Sequence, residues 1–439
     1  MKNLLIAALL AGIAFAGCKD NKKANHNDAD TTATKTSQQV DLPAPYETES
    51  AQKYSNVIGW PQGKTPVAPE EFTVSLFADS LRNPRNIYVA TNGDIFISEA
   101  NTEAKGVKKV GAAVKGVIKS QNMGKSANDI LLFRDTNGDG KYDLKTVFLK
   151  GLNQPYGIEI IGNWFYVANT DGVWRYPYKA GQTKINVPGK MIIDLPAGGY
   201  NNHWTRNLLS SKDGKKLFIS VGSGSNVAEH GMSNEIRRAN ILEINPDGSG
   251  ERIYAAGLRN PVGMDWNPAD GKLYVAVNER DKLGDELVPD YVTAVQEGGF
   301  YGWPYAYFGQ HEDPSFKGPK KPELVKKTLV PDLAVGSHTA SLGLAFYNGD
   351  KFPEKYKNGI FIGQHGSWNS SKWVGYKVVF APFKNGKPTG KLEDFLTGFI
   401  ADAEKGDVYG RPVEIGVLKD GSILVTDDAS NRIWRVAAK

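Results

Sequence analysis

A single cysteine, Cys18, stands among the 439 residues. One thiol cannot close an intramolecular disulfide, and without a CxxCH motif or a cysteine cluster the chain offers no haem attachment and no thiolate iron–sulfur site. An excess of one charge is missing too. The 53 basic and 48 acidic residues leave a net charge of +5, with no long Lys/Arg run outside the N-terminal tail. That balance excludes nucleic acid as the expected partner and favours a small molecule or glycan. From Lys19 to about Pro43 large apolar residues are nearly absent, so this stretch cannot bury enough surface to fold.

What precedes it is different. Met1 to Gly17 has a short basic start followed by an uninterrupted apolar and small-residue run, the pattern of an export signal and too short for an ordinary spanning helix. The Phe15-Ala16-Gly17-Cys18 junction resembles a bacterial lipoprotein processing site, although Phe15 replaces the usual Leu. The expected organisation is a lipoprotein signal peptide at 1–17, a tether at 18–45 after lipidated Cys18, and one folded domain at 46–439. The protein is then exported and held on the bacterial outer membrane, at its periplasmic face or the cell surface, by acyl chains alone. Each buried methylene contributes about 0.8 kcal/mol to such anchoring.

In the remainder, six segments share one template: an apolar run, a turn with Asp, Asn or Gly, and a second apolar run. They are Asn86–Ser98, Gly157–Ala168, Asn207–Val221, Val262–Val277, Leu342–Gly363 and Val413–Thr426. Their turn markers, Gly93, Asn163, Gly214, Gly271, Gly359 and Gly421, are separated by 70, 51, 57, 88 and 62 residues by subtraction. These spacings lie near or above propeller-blade periods of roughly 40–50 residues. The expectation is an all-β, six-bladed β-propeller whose connecting loops carry function.

Polar groups concentrate between the repeats. His203 sits just before the third strand pair, and Arg259 and Asn260 occupy the same offset before the fourth, so all three are expected on one rim. Histidine is the default general base near neutrality. Arginine presents a donor fork suited to an anion. Read alone, His203 is more readily a hydrogen-bonded strand-end residue, and Arg259 and Asn260 a surface ion pair or a loop-stabilising amide. Asn278–Leu287, with the aromatic Gly298–Tyr305 turn after it, is oxygen-rich enough for a hard cation such as calcium, or simply a solvent loop. Lys372 and Arg411 lie in two further segments, Gln364–Lys372 and Val408–Pro412, as cations for an acidic ligand or as solvated charges. Asp135–Asp143 has a calcium-loop rhythm but Thr146 at the twelfth position, and reads as a hairpin turn.

In order, the His203 segment running into KDGKKLFISVGSGSN, GLRNPVGMDWNP, NERDKLGDEL with GGFYGWPY, and GRPVEIGVLKDGSILVTDD resemble the sorbosone and soluble aldose dehydrogenase family of pyrroloquinoline quinone enzymes. The resemblance covers roughly Pro69 to Val436. It implies a six-bladed propeller bearing pyrroloquinoline quinone and calcium on one face, and a dehydrogenase passing electrons from a sugar-like substrate to an external quinone or cytochrome. His203 is then the base that takes the hydroxyl proton as hydride leaves the same carbon, and Arg259 stabilises charge on the reducing quinone. Gln154, Arg206, Asn260, His338, Lys372 and Arg411 contact the cofactor; the metal is served by the Arg280 and Asp281 carbonyls with Glu286. Departures fall at Ser223, where an acid is expected, leaving Glu229 as a candidate orienter of His203; at Val413, where a second Arg is expected; and at His338, in place of a small hydroxyl residue. A calcium-dependent lactone or ester hydrolase and a non-catalytic glycan-binding propeller are the alternatives. The hydrolase would not need Arg259, Lys372 and Arg411 facing one polyanionic ligand.

Overall fold

The computed structural model describes residues 40–103, 116–120 and 123–439. The expected signal peptide, Cys18 and most of the expected tether lie outside the described residues. Val40 and Leu42 already pack against an apolar cluster with Leu283, Leu287 and Tyr307, so the folded part begins before residue 46.

Among the described residues, six four-stranded antiparallel sheets account for the body of the fold. Each expected segment forms the first two strands of one sheet. In chain order those pairs are Pro84–Val89 with Ile95–Glu99, Ile158–Ile161 with Trp164–Asn169, Leu208–Ser210 with Leu217–Val221, Asn260–Trp266 with Leu273–Asn278, Ser341–Phe346 with Ile360–Gln364, and Pro412–Val417 with Ile423–Asp427. We number the sheets blades 1 to 6 in this order. Blade 6 takes its third strand, Arg432–Ala438, from the C-terminus and its outer strand, Phe72–Ala78, from near the start of the propeller sequence. That pairing closes the ring.

Second strands such as Ile95–Glu99 and Leu217–Val221 are buried along their whole length. Both faces of a blade are covered because an apolar cluster lies between each consecutive pair. Phe96, Phe148 and Phe165 join blades 1 and 2, and Tyr166, Ile219 and Leu242 join 2 and 3. Phe218 with Val275 and Tyr274 with Ile362 continue the series through blades 3, 4 and 5. Phe361 and Trp434 join blades 5 and 6, and Leu424 and Ile97 bring blade 6 back to blade 1. Burying both faces of every sheet is what a lone blade cannot do, and it fixes the β-propeller. Asp135–Asp143 is the hairpin turn between Asp129–Arg134 and Leu144–Lys150, with Asp135 accepting the Gly138 and Gly140 N–H groups.

First strands of all six blades line an axial cavity into which blades 2, 4 and 6 bring Glu159, Asp265 and Glu414. Burial pushes their carboxyls up, to about 7, about 6 and about 8 respectively.

Candidate active site

The starts of first strands and the ends of second strands lie at one end of an antiparallel propeller, and the polar residues that flank them meet there. One cavity at this end is lined by His203, Arg259, Asn260, Asp281, His338 and Asn369, with Asn278, Glu279, Asp290 and Trp368 beside them. The equal offset of His203 and Arg259–Asn260 before blades 3 and 4 brings the three together.

His203 is held by its Nδ1, which lies 2.7 Å from the Ser223 carbonyl and 3.1 Å from the Ser223 hydroxyl. A carbonyl only accepts, so Nδ1 carries the proton and Nε2 the lone pair. Burial, then the charge of Arg259, push the His203 proton affinity down to about 3, against the Ser223 carbonyl and Asp281. The imidazole is therefore neutral at working pH. Arg206, fully buried, donates to the His203 carbonyl at 2.6 Å and to Pro196 and Asn201, clamping the loop from behind. Glu229 accepts from the Asn226 and Val227 N–H groups of its own loop. At Nδ1 of His203 stands Ser223.

Gly222 explains how His203 and Asn260 come so close. A Cβ there would stand 2.4 Å from Asn260 Oδ1 and 2.6 Å from His203 Cβ. Gly222→Ala is expected to move one or both side chains and reduce any activity of the site far more than stability. Parallel assays of turnover and thermal unfolding check this; equal loss of both would make Gly222 a folding residue only.

Arg259 donates to the Glu279 carbonyl at 2.7 Å and to Asn226 Oδ1 at 2.9 Å, and its Nη2 lies 3.5 Å from Asp281 Oδ2. Asn226 braces the same corner, since its Oδ1 accepts the Asp281 N–H and its Nδ2 donates to the Asp281 carbonyl. Burial opposes ionisation of Asp281, but Arg259 and His338 outweigh it and hold the carboxyl below its usual range. Asn369 donates to Asp281 Oδ1 and lies 3.0 Å from His338 Nδ1, while His338 Nε2 lies 2.9 Å from the Gly284 carbonyl. Burial would lower the His338 proton affinity; Asp281 and the Gly284 carbonyl raise it instead.

Three buried atoms of cavity residues have no partner: the donor Arg259 Nε and the acceptors Asn260 Oδ1 and Glu279 Oε1. Buried polar atoms ordinarily find a partner in protein, water or a bound ion. A guanidinium donor suits an anion, and amide and carboxylate oxygens suit a hard cation. No group of three or more His, Cys, Asp or Glu side chains is placed for a metal among the described residues. An ion here would accordingly draw on amide and carbonyl oxygens with Glu279.

Other expected site residues stand elsewhere. Lys372 and Glu286 are largely exposed and pair with each other at 3.5 Å. Arg411 is buried, with its guanidinium on the His365, Ser120 and Gly366 carbonyls. The Arg280 side chain is buried in ion pairs with Glu279 and Asp313. Gln154 donates to the Asn101 carbonyl at 2.8 Å, and Val413 is fully buried. Of the three cations set against a polyanionic ligand, Arg259 lines the cavity and Lys372 and Arg411 do not. The residues missed from sequence include Trp368, Asn369, Asn278, Glu279, Asp290 and Asn226, of which all but Asp290 and Asn226 lie inside segments singled out for their polarity.

A sequence model of the TrAA12-like family matches residues 66–297 and 323–439, which include every blade strand. A Borreliella burgdorferi protein described as uncharacterized is 31% identical over 384 residues, covering 84% of this chain and 89% of that one. The aldose sugar dehydrogenase YliI of Escherichia coli is 37% identical over 183 residues, 38% of this chain and 47% of its own. In structure, the holo pyranose dehydrogenase PQQ domain of Coprinopsis cinerea superposes with a TM-score of 0.66 at 19% identity, covering 88% of this chain and 100% of that domain, a likeness of fold. By the span of the family match, the chain belongs to the TrAA12-like family.

Proposed function

We propose that this protein is a pyrroloquinoline quinone-dependent dehydrogenase that oxidises a CH–OH group of a sugar-like substrate and gives the electrons to an external acceptor. The carrying observation is the cavity that a neutral imidazole, His203, shares with Arg259, Asn260, Glu279 and Asp281. The dehydrogenase names of the relatives weigh the same way, against the hydrolase and glycan-binding alternatives. The quinone, when bound, supplies a two-electron acceptor for hydride.

The chain's own residues do the rest. His203 Nε2 accepts the substrate hydroxyl proton while Ser223 fixes the ring and Arg206 fixes its loop. Arg259 holds positive charge beside the bound anion, and such preorganised donors contribute about 2.7–4 kcal/mol each to a transition state. Asn260 and Glu279 offer oxygens to calcium.

The test is titration of the full-length chain with pyrroloquinoline quinone, with and without calcium, followed by calorimetry. Calcium-dependent, saturable binding that weakens in Arg259→Ala supports the reading. No binding under either condition rejects it.

For the N-terminus the proposal is a lipoprotein anchored through Cys18 in the outer membrane. Mass spectrometry of the membrane fraction should find Cys18 acylated as the first residue; unmodified Cys18 in the soluble fraction would overturn the assignment.

A further inference from the structure

Residues 44–58 precede the stretch matched by the family model, which begins at residue 66. They also take no part in ring closure, which Phe72–Ala78 performs. They nevertheless run across the end of the propeller that carries the cavity. The Tyr46 N–H donates to the Leu283 carbonyl at 2.6 Å. Thr48 Oγ1 accepts the N–H groups of Asp285 at 2.8 Å and Glu286 at 3.3 Å. Gly284 has φ +133°, and a Cβ on it would stand 2.8 Å from Thr48 Oγ1, so the turn leaves room for Thr48 and nothing larger than glycine beneath it.

Farther along, the Lys53 N–H donates to the Trp368 carbonyl at 2.8 Å. The Tyr54 ring stacks on Trp368 at 5.9 Å between centroids and 4° between planes. Asn56–Val57 then pairs in parallel with Asp407–Val408. The segment thus bridges two loops, 279–287 of blade 4 and 365–376 of blade 5, which are also tied directly where the Ser371 N–H donates to Asp285 at 2.9 Å.

These two loops carry Glu279, Asp281, Trp368 and Asn369 into the cavity. Neither loop belongs to a blade strand, and irregular segments without cross-ties open at low free energy. We propose that residues 44–58 are a positioning strap of the active site, with Thr48 and Tyr54 as positioning residues that hold the two loops in the register at which Asp281 and Asn369 meet His338. The consequence for cofactor binding rests on the proposed function; the ordering of the loops does not.

The test uses the full-length chain and the variants Thr48→Val, Tyr54→Ala and Tyr54→Phe. Thr48→Val removes the acceptor while keeping the shape, and Tyr54→Phe keeps the ring. Amide exchange at 283–286 and 367–371 is expected to quicken by about five- to tenfold in Thr48→Val and Tyr54→Ala, the scale of one lost hydrogen bond or ring pair. Quinone affinity in the presence of calcium should weaken by a similar factor, Tyr54→Phe should match the parent in both readouts, and the midpoint of thermal unfolding should stay put. Unchanged exchange and affinity in both variants, or a fall in global stability that accounts for the exchange, would overturn the strap. Should the parent bind no quinone, the proposed function fails, and exchange at the two loops still decides the ordering role.

Discussion

Replacing His203 by Ala is expected to lower turnover of the quinone-loaded protein by about 10²–10⁴-fold, the contribution of a positioned general base, while quinone binding stays near that of the parent. The expectation follows from how the residue is held. Its Nδ1 proton is committed to the Ser223 carbonyl, leaving Nε2 as the basic nitrogen. Burial and Arg259 keep the ring neutral far below the pH at which an ordinary histidine charges, so the base never has to lose a proton before it acts. Arg259 is anchored independently on the Glu279 carbonyl and Asn226, and the variant leaves those bonds intact. Turnover close to the parent would remove His203 from the chemistry. Loss of binding together with turnover would make it a structural residue of the cavity.

The second large effect lies on the propeller axis and concerns stability. Glu414 is wholly buried, accepting the Leu344 N–H at 3.2 Å and the Tyr156 hydroxyl at 3.3 Å, and burial raises its carboxyl to about 8. A group whose proton affinity is raised by folding contributes stability that is fully present below its unfolded value and is lost as pH rises through the folded one. Glu159 acts in the same sense up to about 7. His203 and His365 act in the opposite sense: burial lowers them to about 3 and about 4, so their contribution is present above the usual histidine range and lost as pH falls. Between those limits the two sets oppose each other.

Above the usual histidine range His203 and His365 have finished, and Glu414 and Glu159 act together with His338, whose proton affinity Asp281 and the Gly284 carbonyl raise. Glu414 by itself should then cost the folded state about 1.6 kcal/mol between pH 6.5 and 8, the slope of 1.36 kcal/mol per unit flattening as the group titrates near 8. Glu414→Gln keeps a neutral side chain of the same size at all pH values. Denaturant unfolding at pH 6.5 and 8 should show the parent losing stability and the variant losing less by about that amount. Parallel losses in the two proteins would mean that Glu414 is charged in the folded state.

Repeats were the legible part of this chain. All six apolar–turn–apolar segments became the first two strands of a blade, because alternation and turn chemistry are local and a second strand must pair with the first. The shared offset of His203, Arg259 and Asn260 was legible for the same reason: position relative to a strand start is position on the rim. Inside the long loops that logic ends. Asn278–Leu287 was singled out as a unit, yet Glu279 and Asp281 line the cavity while Glu286 lies outside it, a choice made by Lys282 at φ +77° and Gly284 at φ +133°. Lys372 and Trp368 divide the blade 5 loop in the same way. Burial decided Arg411, whose guanidinium satisfies three carbonyls that strand and loop ends would otherwise leave unpaired. The strap at 44–58 has neither periodicity nor a motif, and only its partners on two distant loops reveal it.

The most direct measurement is reduction of an artificial electron acceptor by the full-length protein loaded with pyrroloquinoline quinone and calcium, run across a panel of aldoses and alditols. The account predicts sugar-dependent reduction that requires the quinone and calcium and is lost in His203→Ala. No reduction with any sugar by protein that has demonstrably bound the quinone would contradict it.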